Sequence, residues 1–93
     1  MGTTVAKRLV VTGRVQGVGF RHGFAVAARA LGLRGWVRNC RNGDVEAIVV
    51  GPAADVDAII AWSRQGPPAA HVTAVSIEPA SGEFAEFEIA PTN

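Results

Sequence analysis

The spacing of apolar positions changes period several times along the chain, and each change marks an element. "RLVVTG", residues 8–13, is rich in β-branched residues and ends on glycine, which predicts a strand. From Arg21 the period becomes helical. Phe20, Phe24, Ala27, Ala28 and Leu31 fall on one face, the interior is alanine-rich, and Gly32 can terminate the helix. "GWVRN" (35–39) and "DVEAIVV" (44–50) read as two strands joined through "CRNG". Pro52 opens a second helix, with Asp55 and Asp57 suited to its first turn by the macrodipole and Val56, Ile59 and Ile60 as its apolar stripe. "QGPP" (65–68) ends that helix. "HVTAVSIEP" (71–79) alternates, with Val72, Ala74 and Ile77 on apolar positions, and "FAEFEIA" (84–90) is a short last strand.

The order βαββαβ plus a final strand predicts an α+β fold. It is a ferredoxin-like sandwich in which two helices cover one face of an antiparallel sheet of four to five strands. The first two strands are then parallel and flank the third, and the first helix returns over the sheet by a right-handed crossover. The C-terminal ends of strands one and two therefore lie together. The first carries a glycine-rich loop, and the second carries Asn39. Two hairpin registers are open. A two-residue Asn42-Gly43 turn pairs Cys40 with Val45 and turns Arg38 inward. A three-residue loop with Gly43 left-handed pairs Val37 with Val45, and is preferred because it points Arg38 outward. Asn39 then shares the helix-covered face with Val37, near the start of helix one.

The chain has 93 residues, read as one domain spanning 1–93. A chain of this size buries about 60–65% of its unfolded surface and folds without staples. A lone cysteine, Cys40, excludes an intrachain disulfide and suits a reducing cytoplasm. No apolar run is long enough to span a membrane. "MGTTVAKRL" lacks the apolar core of a signal peptide, and Ala6 stands where a myristoylation motif on Gly2 wants Ser or Thr.

Net charge is only +1, but it is unevenly laid out. Residues 1–43 carry eight bases and no acid, whereas residues 44–93 carry eight acids and one base, Arg64. The two halves can simply attract each other on packing. The basic half can also form a site for an anion. The second reading gains from "GRVQGVGFR", residues 13–21, which holds Gly13, Gly17 and Gly19 between a strand and a helix. Such a junction exposes backbone N–H groups that no helical carbonyl satisfies. Glycines let those groups converge into a nest for an anion, and the helix dipole adds positive potential. Arg21 supplies a forked guanidinium matched to phosphate. The competing reading is a tight turn whose Arg21 joins a surface salt bridge.

Several chemistries do not fit. GxxxxGK[ST] is absent, and the glycine spacing is not that of a dinucleotide site. Cys40 lies outside the loop where a cysteine phosphatase would need it, and reads as a plain reduced residue. His22, His71 and Cys40 make no metal-ligand cluster, and His22 reads as a polar residue of the first helical turn. No Ser/His/Asp arrangement stands out. Trp36 and Trp62 read as packing residues, and Arg14, Arg38 and Arg41 as a solvated positive rim that steers anions. Asn39 alone can equally cap a strand end and nucleate the turn.

"GRVQGVGFR" followed by "GLRGWVRNCRNGDVEAIVVGP" closely resembles the acylphosphatase family, and the likeness extends from about Arg8 to Ile89, including "GPPAAHV". The resemblance implies a small enzyme that hydrolyses carboxyl-phosphate anhydrides without metal or cofactor. It implies catalytic roles for Arg21 and Asn39. It implies a phosphate cradle of Gln16, Gly17, Val18, Gly19 and Phe20 together with Arg21. The partners implied are a small-molecule acyl phosphate and inorganic phosphate, the latter as product and competitive inhibitor. Nucleic acid and membrane are not expected partners, and a monomer is expected.

Two other readings keep the same fold. One is an RNA-binding module, because "RVQGVGFRHGFAV" superficially follows the pattern of RNA-recognition motifs. That pattern belongs on the third strand, yet "DVEAIVV" has no aromatic and the chain has no tyrosine. The other is a catalytically idle regulatory domain, which intact Arg21 and Asn39 argue against.

Overall fold

The computed structural model describes residues 3–93. Gly2, the residue a lipidation motif would use, lies outside them. The chain runs β1 (Thr4–Arg14), α1 (Phe20–Ala30), β2 (Arg34–Asn39), β3 (Val45–Pro52), α2 (Ala53–Gln65), β4 (His71–Pro79) and β5 (Phe87–Ile89). One five-stranded sheet has the order β4-β1-β3-β2-β5. β1 and β2 are each antiparallel to β3, and so parallel to each other, as the element order predicts. β5 pairs parallel with β2, which makes the sheet mixed rather than wholly antiparallel. The reason is directional: β4 runs against β1, and the chain reverses once more before reaching the far edge.

Odd positions of β1, β2 and β3 face the helices. Leu9, Val11, Val37, Val45, Ala47 and Val49 are buried there against Phe20, Phe24, Ala25 and Ala28 of α1 and Val56 and Ile59 of α2. Each large apolar side chain so buried contributes about 1.5–3 kcal/mol. Trp62 packs as expected, its ring centroid 5.2 Å from Phe20 and 5.8 Å from Phe24. Ser63, fully buried, is accommodated because its hydroxyl donates to the Ile60 carbonyl at 2.6 Å. In α2 only Asp55 falls in the first turn; Asp57 lies beyond it.

Two strand expectations change. In β4 the pairing register shifts between Thr12 and Gly13, so Thr12 faces Ala74 but Gly13 faces Val72. A bulge reverses the alternation of side chains. Val72 and Val75 therefore pack on the core, while Ala74 is exposed on the other face and Ile77 stays 39% exposed at the sheet edge. Gly13 makes this close pairing possible. Its φ is +122°, and a Cβ there would stand 2.2 Å from the His71 carbonyl oxygen. The β2–β3 hairpin has the three-residue loop, with Gly43 at φ +100° and the Cys40 N–H donating to the Asp44 carbonyl at 2.8 Å. Val37 pairs with Ala47, however, and Asn39 with Val45, two residues from the predicted register. An even shift leaves every side chain on its face. Asn39 accordingly lies on the helix side and Arg38 on the uncovered side.

On that uncovered face the two charged halves of the sequence meet. Glu46 accepts from Arg8 at 2.6 Å and from Arg38 at 2.9 Å, and Arg8 also bonds Glu78. Arg38 is thus a paired residue, not part of a solvated rim. Its guanidinium lies 4.6 Å over the ring of Trp36, which sits half-buried outside the core. Arg14 and Arg41 are exposed as expected. Burial pushes the Glu46 carboxyl up, but Arg38 and Arg8 outweigh it and hold the group below the ordinary carboxylate range. Its stabilisation is therefore complete above the unfolded value of about 4.3 and is lost as pH falls through the lower folded value. Glu46→Gln is expected to cost about 1–3 kcal/mol at pH 7. The difference from the parent protein should narrow by about pH 3. Urea unfolding at both pH values checks this, and a gap that stays constant would contradict it.

Candidate active site

The loop between β1 and α1 owes its shape to left-handed glycines. Gly17 and Gly19 have φ of +72° and +81°. Gly19 is also the N-cap of α1, so the helix begins without any side-chain cap and with no acid in its first turn. The first bond along the helix runs from the Gly23 N–H to the Gly19 carbonyl at 3.0 Å. The N–H groups of Phe20, Arg21 and His22 precede it and have no intrahelical acceptor. Helix starts ordinarily carry Ser, Thr, Asp or Asn to satisfy such donors. This one carries an arginine, unfavourable against the dipole by about 0.3–1 kcal/mol unless an anion is held there. Phe20, 1% exposed, anchors the junction by burying its ring beside Phe24 and Trp62.

A cavity of about 310 Å³ opens at this junction, lined among others by Gln16, Gly17, Gly19, Phe20, Arg21 and Asn39. The loop and the end of β2 thus meet in one place. Among the described residues Arg21 makes no ion pair, so the surface-salt-bridge reading has no partner to rest on. The Asn39 Oδ1 is buried and finds no hydrogen-bond donor. Leaving such an oxygen unpaired costs about 1–3 kcal/mol, which calls for an explanation at a site. Val18 does not line the cavity; it packs partly against the core, so only its backbone is free to serve there. The Gln16 Nε2 donates to the Cys40 and Asp44 carbonyls at 2.7 and 2.8 Å.

Val15, His22 and Ile89 also line the cavity, and none was predicted as a site residue. Ile89 arrives through the parallel pairing of β5 with β2, opposite Val37. Strand pairing at a distance leaves no mark on "FEI", so no sequence signal would have found it. The chain beyond β5 reaches the same place. The Asn93 N–H donates to the Asn39 carbonyl, and the Arg41 N–H to the Asn93 carbonyl, both at 3.1 Å.

Cys40 lines a different hollow, with Arg8 and Glu46, on the uncovered face. Burial, aided by the charge of Glu46, pushes its thiol up, away from a reactive thiolate. Among the described residues no three His, Cys, Asp or Glu side chains gather as a metal site, and no helix is long and apolar enough to cross a membrane. The third strand carries no aromatic, and on the uncovered face Trp36 lies under Arg38 and shares a hollow with Phe84. The third-strand aromatics on which an RNA-recognition motif stacks bases are therefore absent from β3.

Fold and site together define a small α+β protein with a pocket at one end of its sheet where an uncapped helix start, Arg21 and Asn39 meet. Comparison with known proteins specifies it further. The family model for acylphosphatase matches residues 7–89. An acylphosphatase of Cupriavidus necator is 54% identical over 85 residues, covering 91% of this chain and 92% of that protein. The solved acylphosphatase of Coxiella burnetii superposes with a TM-score of 0.90 at 33% identity, covering 94% of this chain and 93% of that one. That of Bacillus subtilis gives 0.88 at 32%, covering 95% and 99%. The chain belongs to the acylphosphatase family. Its activity is accordingly hydrolysis, and its substrates are acyl phosphates.

Proposed function

We propose that hydrolysis runs by in-line attack of a water held by Asn39 on a phosphoryl group held by the glycine loop and Arg21. One observation carries the reading. The orphaned Oδ1 belongs to a residue that lines the same cavity as the uncapped helix start and an arginine without an acid partner. The backbone of Gln16 to Phe20 and the Arg21 backbone and guanidinium would hold the phosphoryl oxygens and neutralise the charge that develops in flight. Asn39 would accept a hydrogen bond from the water. An amide is a weak base, so it orients rather than deprotonates.

The leaving group is a carboxylate whose acid has a pKa near ~4, and it departs without being protonated. No general acid is needed, which agrees with a cavity that holds no carboxyl group. The proton of the attacking water passes to a phosphoryl oxygen of the substrate. The bond formed is water oxygen to phosphorus, the bond broken is phosphorus to carboxylate oxygen, and the products are carboxylate and inorganic phosphate. The enzyme is read as a monomer of one domain, without cofactor, and the free Cys40 suits a cytoplasmic setting.

The test is phosphate release from benzoyl phosphate, with and without EDTA. Turnover is expected in both arms. Inorganic phosphate is expected to inhibit competitively, because a pocket shaped for the transferred group also fits the product. An obligatory requirement for magnesium would overturn the metal-free mechanism. Absence of turnover in folded protein would favour the idle regulatory domain.

A further inference from the structure

The side-chain amide of Gln16 sits inside the proposed site but faces away from any anion in it. Its Nε2 carries two hydrogens, and both are committed, one to the Cys40 carbonyl at 2.7 Å and one to the Asp44 carbonyl at 2.8 Å. The orientation of the amide is fixed by these partners, since carbonyl oxygens only accept. What remains is Oε1, an acceptor, which has nothing to offer a phosphoryl oxygen. The two carbonyls are not arbitrary. Cys40 and Asp44 are the closing pair of the β2–β3 turn, joined by the Cys40 N–H at 2.8 Å. Asn39 immediately precedes them. One side chain therefore ties the glycine loop to the turn that carries the buried amide oxygen.

We propose that the Gln16 side chain is a positioning group that holds Asn39 in register with the phosphate-binding loop. The inference rests on the reading of Asn39 as the residue that orients water. The loop leaves β1 and Asn39 ends β2, strands that are not hydrogen-bonded neighbours but are joined through β3, where Val45 pairs with both Val11 and Asn39. Without the amide the loop loses its side-chain tie to the turn, and its placement against Asn39 rests on the β3 ladders and on packing. The loop keeps its own glycine conformations and its uncapped helix start, so phosphate binding survives. What degrades is the direction from which water is presented, and displacement of about 1 Å there costs up to ~100-fold in rate.

The experiment is a double-mutant cycle on kcat for benzoyl phosphate, with the inhibition constant of inorganic phosphate measured alongside. Gln16→Met keeps the length and removes both donors. It is expected to lower kcat about 10–100-fold while the phosphate constant moves by less than roughly twofold. In an Asn39→Ala background the same change should alter kcat by less than about twofold, because nothing is left to position. If Asn39→Ala alone keeps the parent kcat, the water-orienting reading fails and this inference falls with it. If Asn39→Ala is slow but Gln16→Met keeps its kcat, or loses the same factor in both backgrounds, the positioning role alone is overturned.

Should Gln16→Met fail to fold, Gln16→Glu serves in its place. An ionised carboxylate opposes both carbonyls, whereas a protonated one donates to one of them. Its kcat relative to the parent protein should be low at pH 7 and recover as pH falls toward about 4.3. A ratio that is flat with pH would overturn the proposal.

Discussion

Folded Arg21→Ala is expected to lose at least about 10²–10³-fold in kcat/KM for benzoyl phosphate. The lower bound is what removal of one neutral oxyanion donor costs elsewhere, and a charged, forked donor in a small cavity exceeds it. Arg21 follows the N-cap glycine by two residues and has no acid partner among the described residues. Its charge therefore stays available to the ligand. Inhibition by inorganic phosphate should weaken in the same variant, because the guanidinium serves ground state and transition state alike. Arg21→Lys should recover little, since an ammonium is a point charge and cannot form two parallel bonds to one phosphoryl group. Stability should change little or rise, because a positive charge leaves a helix N-terminus. Steady-state kinetics on protein shown folded by circular dichroism decides the matter. Near-parent activity of Arg21→Ala would remove the guanidinium from the mechanism and leave the backbone nest as the sole anion holder.

What the sequence made legible follows the range of the forces involved. The glycine loop could be read because positive φ selects glycine locally, and an arginine at an uncapped helix start is itself a local anomaly. The side of the sheet that Asn39 faces could also be read, although the register could not. Pairing of Asn39 with Val45 rather than Val37 with Val45 is a shift of two, and faces repeat every two residues. The same arithmetic fails in β4. There the bulge inserts one residue, so Ala74 moves to the uncovered face and Val75 replaces it on the core. The cause is the approach of Gly13 to the His71 backbone, a contact between chain segments far apart in sequence.

Backbone partners are harder still. The acceptors of Gln16 are carbonyls 24 and 28 residues away, and a carbonyl carries no residue identity to be recognised. The pairing of Arg38 and its seat on Trp36 escape the sequence for a related reason. Their placement opposite Glu46 and beside one another depends on which sheet face the helices leave bare. The charge asymmetry between the two halves shows itself in two local arrangements among the described residues. It produced the Arg8–Glu46–Arg38 triad, and it left Arg21 unopposed.

Asn39→Ala should separate the water-orienting role from a role in the turn. If the residue only shapes the turn, the variant loses about 0.5–2 kcal/mol of stability and its folded fraction keeps the parent kcat. The turn has other supports that argue for a small loss. The Asn42 Oδ1 accepts from the Asp44 N–H at 3.0 Å, and Cys40 and Gly43 close the loop through backbone bonds. The Asn39 side chain makes none of these contacts, and its Oδ1 makes none at all. Removing an oxygen that has no donor in the folded protein relieves an unsatisfied group, so stability is expected to hold or improve. The rate is expected to fall by about 10²–10³-fold, with phosphate inhibition close to that of the parent, because the loop and Arg21 still hold the anion. Asn39→Asp is the harsher variant. A carboxylate accepts from water as well as an amide does, but it stands in a cavity meant for a phosphoryl anion and repels it. Both kcat and phosphate affinity should drop in that protein. Measuring kcat with the phosphate inhibition constant for the pair distinguishes lost orientation from lost binding. An Asn39→Ala protein with parent kcat would reduce Asn39 to a turn residue and leave Arg21 as the one side chain acting on the phosphoryl group.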